Sequence, residues 1–311
     1  MTLTARSPED VLAMVPVVLG FAPTESLVML TFGAASPFHA RVDLPDRPRD
    51  VRQVVASLLE PAARHGVSRV LLVGYADDLD RLERVTGQVR EAFERAGIEV
   101  LGRLAADGAR WWHLPRQDGE PGTAYDVSAH PFAAEAVWRG LVTHETRTDL
   151  AATMAPDPDA VTESERALAG LEAHGATGAA EAAWASGLVR QCVAASCPPP
   201  AGALARLLAG MTDVTVRDAV WFTLDRSDVE AHLAFWTDVV RRCPVSHLSA
   251  PAAVLGFAAW VSGQGALAWC AVDRAREGDP AYPLAGLLGE VLTSALPPSA
   301  WERILADHEA S

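Results

Sequence analysis

The sequence predicts an α+β protein of two domains, an N-terminal α/β sandwich with a mixed sheet and a C-terminal all-helical domain. Three observations predict it. Between residues 7 and 114, strand-like apolar runs alternate with runs of helical period. Beyond residue 161 only the helical period continues. Between them, residues 115–131 and "APDPD" at 155–159 concentrate proline, glycine and polar side chains. The expected division is 1–130 for the sandwich, 131–160 for a helix and linker, and 161–311 for the helical domain.

The elements follow in order. Ser7-Pro8-Glu9-Asp10 reads as a helix start: Ser7 caps, proline suits the first turn, and the acids suit the positive end of the helix dipole. That helix carries Val11, Leu12 and Val15, and Pro16 disturbs or ends it. A polar, turn-rich insert from Gly20 to Ser26 leads to the nearly all-apolar Leu27–Phe32, expected to be a central strand. "GAASP" at 33–37 turns the chain. In Phe38–Leu44, Phe38, Ala40, Val42 and Leu44 face one way while His39, Arg41 and Asp43 face the other. Arg49–Arg64 has amphipathic spacing, and Arg69–Tyr75 reads as a buried strand. Asp77 or Asp78 caps the next helix, which carries Leu82, Val85, Val89 and Phe93. Two strands, Ile98–Ala105 and Ala109–Leu114, flank the turn Asp107-Gly108. Trp111 and Trp112 point to opposite faces, so one should be buried while the other covers an interface or a pocket rim.

Phe132–Leu141 has a helical pattern, and Thr162-x-x-Glu165 reads as a capping box that opens a further helix after the "APDPD" breaker. Breaks such as "HGATG" at 174–178, "CPPP", "GMTD" and "CPVSH" then separate one helix from the next. Leu255-Gly256, Ala268, Ala275 and Pro280 match the small-residue contacts and terminal proline of a tetratricopeptide helix pair. The motif's aromatic positions depart, being occupied by Ala252, Ala259 and Val272, and two ordinary helical hairpins would show the same small residues.

Composition narrows the function. Of 311 residues, 26 are basic and 40 acidic, for a net charge of -14. Nucleic acid and anionic membrane, which need a concentrated positive face, are therefore not the expected partners. Every basic residue is arginine. Schiff-base chemistry, a phosphate-loop lysine and a lysine general base are thereby excluded. Cys192, Cys197, Cys243 and Cys270 form no CxxC pair and are expected to be free, mostly buried thiols, with no metal and no cofactor. The N-terminus does not read as a secretory leader, and no apolar run reaches the roughly 18 residues of a spanning helix. A cytoplasmic protein is the expectation.

No strong catalytic motif is found: GxSxG and HExxH are absent. Gly263-Gln264-Gly265-x-x-Ala268 mimics a dinucleotide fingerprint but sits between helices, so it reads as a turn. Ser26 precedes a strand, whereas a nucleophile elbow follows one. The insert reads as helix stop and turn at Gly20 and Pro23, with Thr24–Ser26 satisfying backbone groups where the strand begins. His39, Arg41 and Asp43 are either an anion or acid–base site or a solvated face with an Arg41–Asp43 pair. The candidate ligand site is Gly20, Phe21, Pro23, Ser26, Arg41, Asp43, Asp77 and Trp112.

As a set, "SPEDVLAMVPVVLGFAPTESLVML" at 7–30, "ARVDLP" at 40–45, "DGARWW" at 107–112, "TRTDLA" at 146–151 and "AWVSGQGALAWCAVDRAREGDPAYPLAGLL" at 259–288 resemble domain-of-unknown-function family 4192 of high-GC Gram-positive bacteria. The likeness covers nearly the whole chain. Many members follow the paired tryptophans with a Cys-rich segment; here "HLPRQDGEPGTAYD" has no cysteine. The resemblance implies no known reaction. It does imply that the insert is a family feature, either structural or part of a binding site. Two functions are expected. One is a non-catalytic protein-interaction or regulatory module that meets a protein partner through its C-terminal helices. The other is a small-molecule-binding protein or enzyme with its site in the α/β domain.

Overall fold

A computed structural model describes residues 5–34, 38–138, 142–171 and 178–309. Parts of three expected features lie outside the described residues: 35–37 of the "GAASP" turn, 139–141 of the helix over Phe132–Leu141, and 174–177 of "HGATG". The chain divides into two compact units, Met1–Arg147 and Thr148–Ser311.

The first unit opens with α1 (Pro8–Leu19), where Ser7 and Asp10 form a reciprocal capping box. Of the two readings of Pro16, a disturbance or an end, the helix excludes the second, and the stop falls at Gly20, where the insert begins. The helix continues to Leu19 and ends at Gly20, whose φ of 78° closes the last turn by a 2.8 Å bond to the Pro16 carbonyl. Then come β1 (Ser26–Phe32), β2 (His39–Asp43), α2 (Val51–Arg64), β3 (Arg69–Tyr75), α3 (Leu79–Arg95), β4 (Glu99–Ala106), β5 (Arg110–His113) and a two-residue β6 (Thr123–Ala124). The sheet order is β2-β1-β3-β4-β5-β6. β3 and β4 are parallel, joined by α3 as a crossover, and the remaining pairs are antiparallel. β1 is hydrogen-bonded on both edges and buried over all but its last residue, as its apolar run requires.

Each face of the sheet has its own core. Leu27, Met29, Leu72 and Trp112 pack with Leu58 of α2 and with Leu82, Val89 and Phe93 of α3. Val28, Leu30, Val73, Tyr75, Leu104 and Trp111 pack with Leu12 and Val15 of α1. α3 approaches β3 so closely that a Cβ at Gly74 would lie 2.2 Å from a Leu82 methyl. α4 (Pro131–Trp138) packs on α1.

The boundary between the units falls at the start of α5 (Arg147–Ala152), a short helix the sequence pattern did not reveal. α6 (Pro158–Ala169) begins earlier than the Thr162 capping box would place it. Asp157 caps it by accepting from the Ala160 N–H at 3.1 Å, and Pro158 takes the first position. The proline that reads as a breaker thus starts a helix, and Thr162 bonds back to the Pro158 carbonyl inside it.

Among the described residues of the second unit eight more helices follow: α7 (Ala179–Ala195), α8 (Ala201–Gly210), α9 (Val214–Trp221), α10 (Val229–Arg241), α11 (Ser249–Val261), α12 (Gly265–Gly278), α13 (Pro283–Thr293) and α14 (Ser299–Glu309). No strand occurs among its described residues. α11 is buried along its whole length, so it is apolar all round. It packs against α10, α12 and α13. A Cβ at Gly256 would stand 2.4 Å from a Leu288 methyl and 3.3 Å from the Ala271 Cβ, which marks where three helices meet.

Candidate functional site

The insert between α1 and β1 is pinned at both ends by backbone. The Gly20 carbonyl accepts from the His144 N–H at 2.9 Å, and the Ala22 N–H donates to the His144 carbonyl at 3.0 Å. Phe21, 2% exposed, and Pro23 are buried beside this bridge. The chain then passes through Glu25 at φ 43°, a left-handed conformation uncommon outside glycine.

Glu25 organises this end of the sheet. Its carbonyl accepts from the Leu44 N–H at 2.9 Å, which aligns β2 with β1. Its Oε1 accepts from the Asp77 N–H at 3.0 Å, just beyond β3. Its Oε2 pairs with the Arg81 guanidinium, whose Nη1 also reaches Asp46 Oδ1 at 3.1 Å. Asp78, not Asp77, caps α3, accepting from the Arg81 N–H at 2.9 Å. Glu25 lies within the Thr24–Ser26 stretch that the sequence assigns to backbone groups at the strand entry, while its ion pair with Arg81 is not legible there. The available signal was an acid held between two apolar runs, which needs a partner once the runs are buried.

Arg41 lies on the α1 side of the sheet. Its Nη2 contacts Asp43 Oδ1 at 2.7 Å and the Thr24 carbonyl at 3.5 Å, and its guanidinium carbon sits 5.8 Å from the Phe21 ring centre. The Arg41 side chain is 19% exposed while Asp43 is 82% exposed. The pair is therefore neither fully solvated nor buried. Arg41 Nε is enclosed and has no hydrogen-bond partner.

Ser26 corrects the sequence reading. It was expected to satisfy backbone at the start of the strand, yet its hydroxyl is fully buried and makes no hydrogen bond. Glu25 does that work instead. Opposite Ser26 in register stands Tyr75, whose hydroxyl is also buried and unpartnered. Burial, with Tyr125 nearby, pushes the Tyr75 phenol well above its usual range. With no base hydrogen-bonded to it, Ser26 lacks the arrangement of an activated nucleophile.

Gly20, Phe21, Pro23, Ser26, Arg41, Asp43 and Asp77 thus gather at one end of the sheet, on or beside the insert. Trp112 does not join them. It faces the opposite core, and the rim position expected for one tryptophan is filled by neither: Trp111 is 8% and Trp112 7% exposed. The loop after β5 covers Trp112, with its Nε1 donating to the Glu120 carbonyl at 3.2 Å and Gly122 lying against its ring. Trp111 Nε1 donates to Glu9 Oε1 at 3.1 Å under α1.

Open polar hollows lie elsewhere, one bounded by Asp80, Glu83 and Arg116, another by Asp157, Glu163 and Arg166. Neither is lined by the insert. Among the described residues no cluster of His, Cys, Asp and Glu side chains converges as metal ligands do, and no helix is long and apolar enough to cross a membrane. Of the four free cysteines, Cys192, Cys243 and Cys270 are buried and Cys197 is exposed.

The family model for a domain of unknown function, DUF4192, matches residues 8–299. No curated protein and no solved structure matches the chain.

Proposed function

The chain belongs to the DUF4192 family, and from that premise we propose that it is a non-catalytic interaction or regulatory protein that meets a protein partner through its C-terminal helices. The observation that supports this reading is how the charges at the insert are used. Arg81 binds both Glu25 and Asp46, Arg41 binds Asp43, and the groups tie strand ends together at the surface. The packing of α11, α12 and α13 through Gly256 and Ala271 suits a tetratricopeptide-like stack, a scaffold used for binding protein segments. The net charge of -14 supports a cytoplasmic protein that avoids nucleic acid and membrane.

Leu287 on α13 and Ile304 on α14 are large apolar side chains left 43% and 40% exposed. In affinity capture with the full chain, Leu287→Glu with Ile304→Glu should lose a specific partner that the wild type retains, at an unchanged melting temperature. An identical set of captured proteins, or none that is specific, would overturn the reading.

One observation favours the second function, a small-molecule-binding protein. Ser26 and Tyr75, opposite each other in register, each carry a buried hydroxyl without a partner, and Arg41 Nε, on the neighbouring strand, is likewise unpaired. Such groups suit a small ligand bearing a carboxylate or phosphate. Thermal shift with inorganic phosphate and short carboxylates tests it: stabilisation that Arg41→Ala abolishes would support this reading, and no shift would remove it.

A further inference from the structure

Helix α7 ends in a cap that sets two cysteines side by side. Ser196 adopts φ 50° and ψ 40°, the left-handed conformation. The Cys197 N–H donates to the Cys192 carbonyl at 3.1 Å, and the Ser196 N–H to the Val193 carbonyl at 3.1 Å. These are the two hydrogen bonds of a Schellman motif, in which the residue after the left-handed position folds back onto the one five places earlier. Their side chains meet in that motif, usually as an apolar contact. Here both are cysteines. The Cys197 thiol is close enough to raise the Cys192 thiol further, on top of the larger effect of burial. The backbone bond also holds the two Cα atoms within roughly 7 Å, the reach of a disulfide.

The two thiols differ in access. Cys197 is exposed and Cys192 lies buried beneath it. Cys243 and Cys270 are both buried, and burial pushes the Cys243 thiol up to about 12. Accessible thiolate character governs thiol oxidation, so Cys197 is the one of the four placed to react first.

We propose that Cys192 and Cys197 form an oxidisable dithiol, a modification site that closes to a disulfide when the chain meets a peroxide. The exposed Cys197 thiolate attacks one peroxide oxygen. An S–O bond forms, the O–O bond breaks, and the leaving hydroxide takes up a proton as water. Cys197 is then a sulfenic acid. The Cys192 sulfur attacks it, the S–S bond forms, the S–O bond breaks, and the departing hydroxide leaves as water with the Cys192 proton. Two thiols lose two electrons, and one peroxide becomes two waters. A dithiol reductant reverses the closure by exchange. The pair sits just before Pro198-Pro199-Pro200, where Arg242 Nη1 donates to the Pro199 carbonyl at 3.0 Å and α8 begins. Closure therefore locks the C-terminal cap of α7, at the start of the segment that leads to α8.

The test treats the folded full chain with hydrogen peroxide, alkylates the remaining thiols, and maps the peptides by mass spectrometry. A Cys192–Cys197 crosslink is expected, lighter than the dithiol by two hydrogen atoms and lost on adding dithiothreitol. In Cys192→Ala, Cys197 should instead advance to sulfinic acid. Should that variant misfold, Cys197→Ser serves, and in it Cys192 should stay reduced at the same peroxide dose. The proposal is overturned if wild-type Cys197 reaches sulfinic acid with Cys192 still reduced, if neither thiol oxidises, or if Cys192 oxidises as fast in Cys197→Ser.

Discussion

Ser26 shows how one atom reverses an expected mutational sign. A hydroxyl that caps backbone would cost about 1 kcal/mol to remove. Here the hydroxyl is buried without a partner, so its desolvation is uncompensated. Ser26→Ala is expected to leave stability unchanged or raise it by about 1 kcal/mol, read in urea unfolding. A clear loss would reveal a hydrogen bond to the hydroxyl. Glu25 carries the opposite expectation. Its φ of 43° favours glycine, while its carboxylate holds the Asp77 N–H and Arg81. Glu25→Ala should lose both contacts and keep the strain; Glu25→Gly should lose the contacts alone. We expect the alanine variant to be the less stable by about 0.5–1 kcal/mol. Equal melting points would mean that the strain is not felt. Arg41 stands between these cases. With Asp43 82% exposed, Arg41→Ala leaves no buried carboxylate behind. Its cost should be about 1 kcal/mol, and the Arg41–Asp43 double-mutant coupling no larger.

At the scale of the element, α10 and α11 give the clearest expectations. His232 on α10 is 1% exposed, with Nδ1 unpartnered and Nε2 3.5 Å from Asp228 Oδ1. Burial lowers its pKa, against the opposing pull of Asp228, Asp225 and the Thr223 backbone. Burial lowers that of His247 too. As pH falls below about 6.5, the unfolded chain takes up protons that folded His232 resists, so stability must fall with it. Denaturant melts at pH 7.5, 6.5 and 5.5, each pH about one unit apart on the scale of the histidine titration, should show this decline, and His232→Gln should make it shallower. An unchanged slope in the variant would assign the decline to other groups. On α11, Gly256→Ala gains helix propensity but drives a methyl onto Leu288. Overpacking should win by about 1–3 kcal/mol. Leu288→Ala in the same chain should return part of the loss, because it empties the space the new methyl needs.

At the scale of the whole molecule, the two units each bury their own core, and regular structure is sparse over 115–130, inside the first unit, and over 153–157, just inside the second. Limited proteolysis should cut first between residues 115 and 162, leaving fragments that resist further digestion. Early cleavage inside α10 to α13 would contradict two independently packed units.

Periodicity determined most of the first unit by itself. Val28 and Leu30 against Leu27 and Met29, or Arg41 against Val42, take the faces that a period of two assigns, because a strand offers only two sides. The helices of the second unit were legible for the same reason, since Val239, Val240 and the apolar run through α11 cannot be left in water. Local reading failed where two signals competed. Pro16 reads as either a disturbance or an end, and tertiary packing of Val18 and Leu19 carries α1 past it to the stop at Gly20. Pro158 looked like a breaker, but Asp157 before it makes it a helix start. The candidate site was legible as a list of residues and not as a set of contacts. Only the tertiary structure decided that Glu25 rather than Ser26 does the bonding, that Trp112 faces away, and that Cys197 returns to Cys192. Each depends on which atoms meet across segments distant in the chain or across a single left-handed residue, and residue type alone carries no such distance.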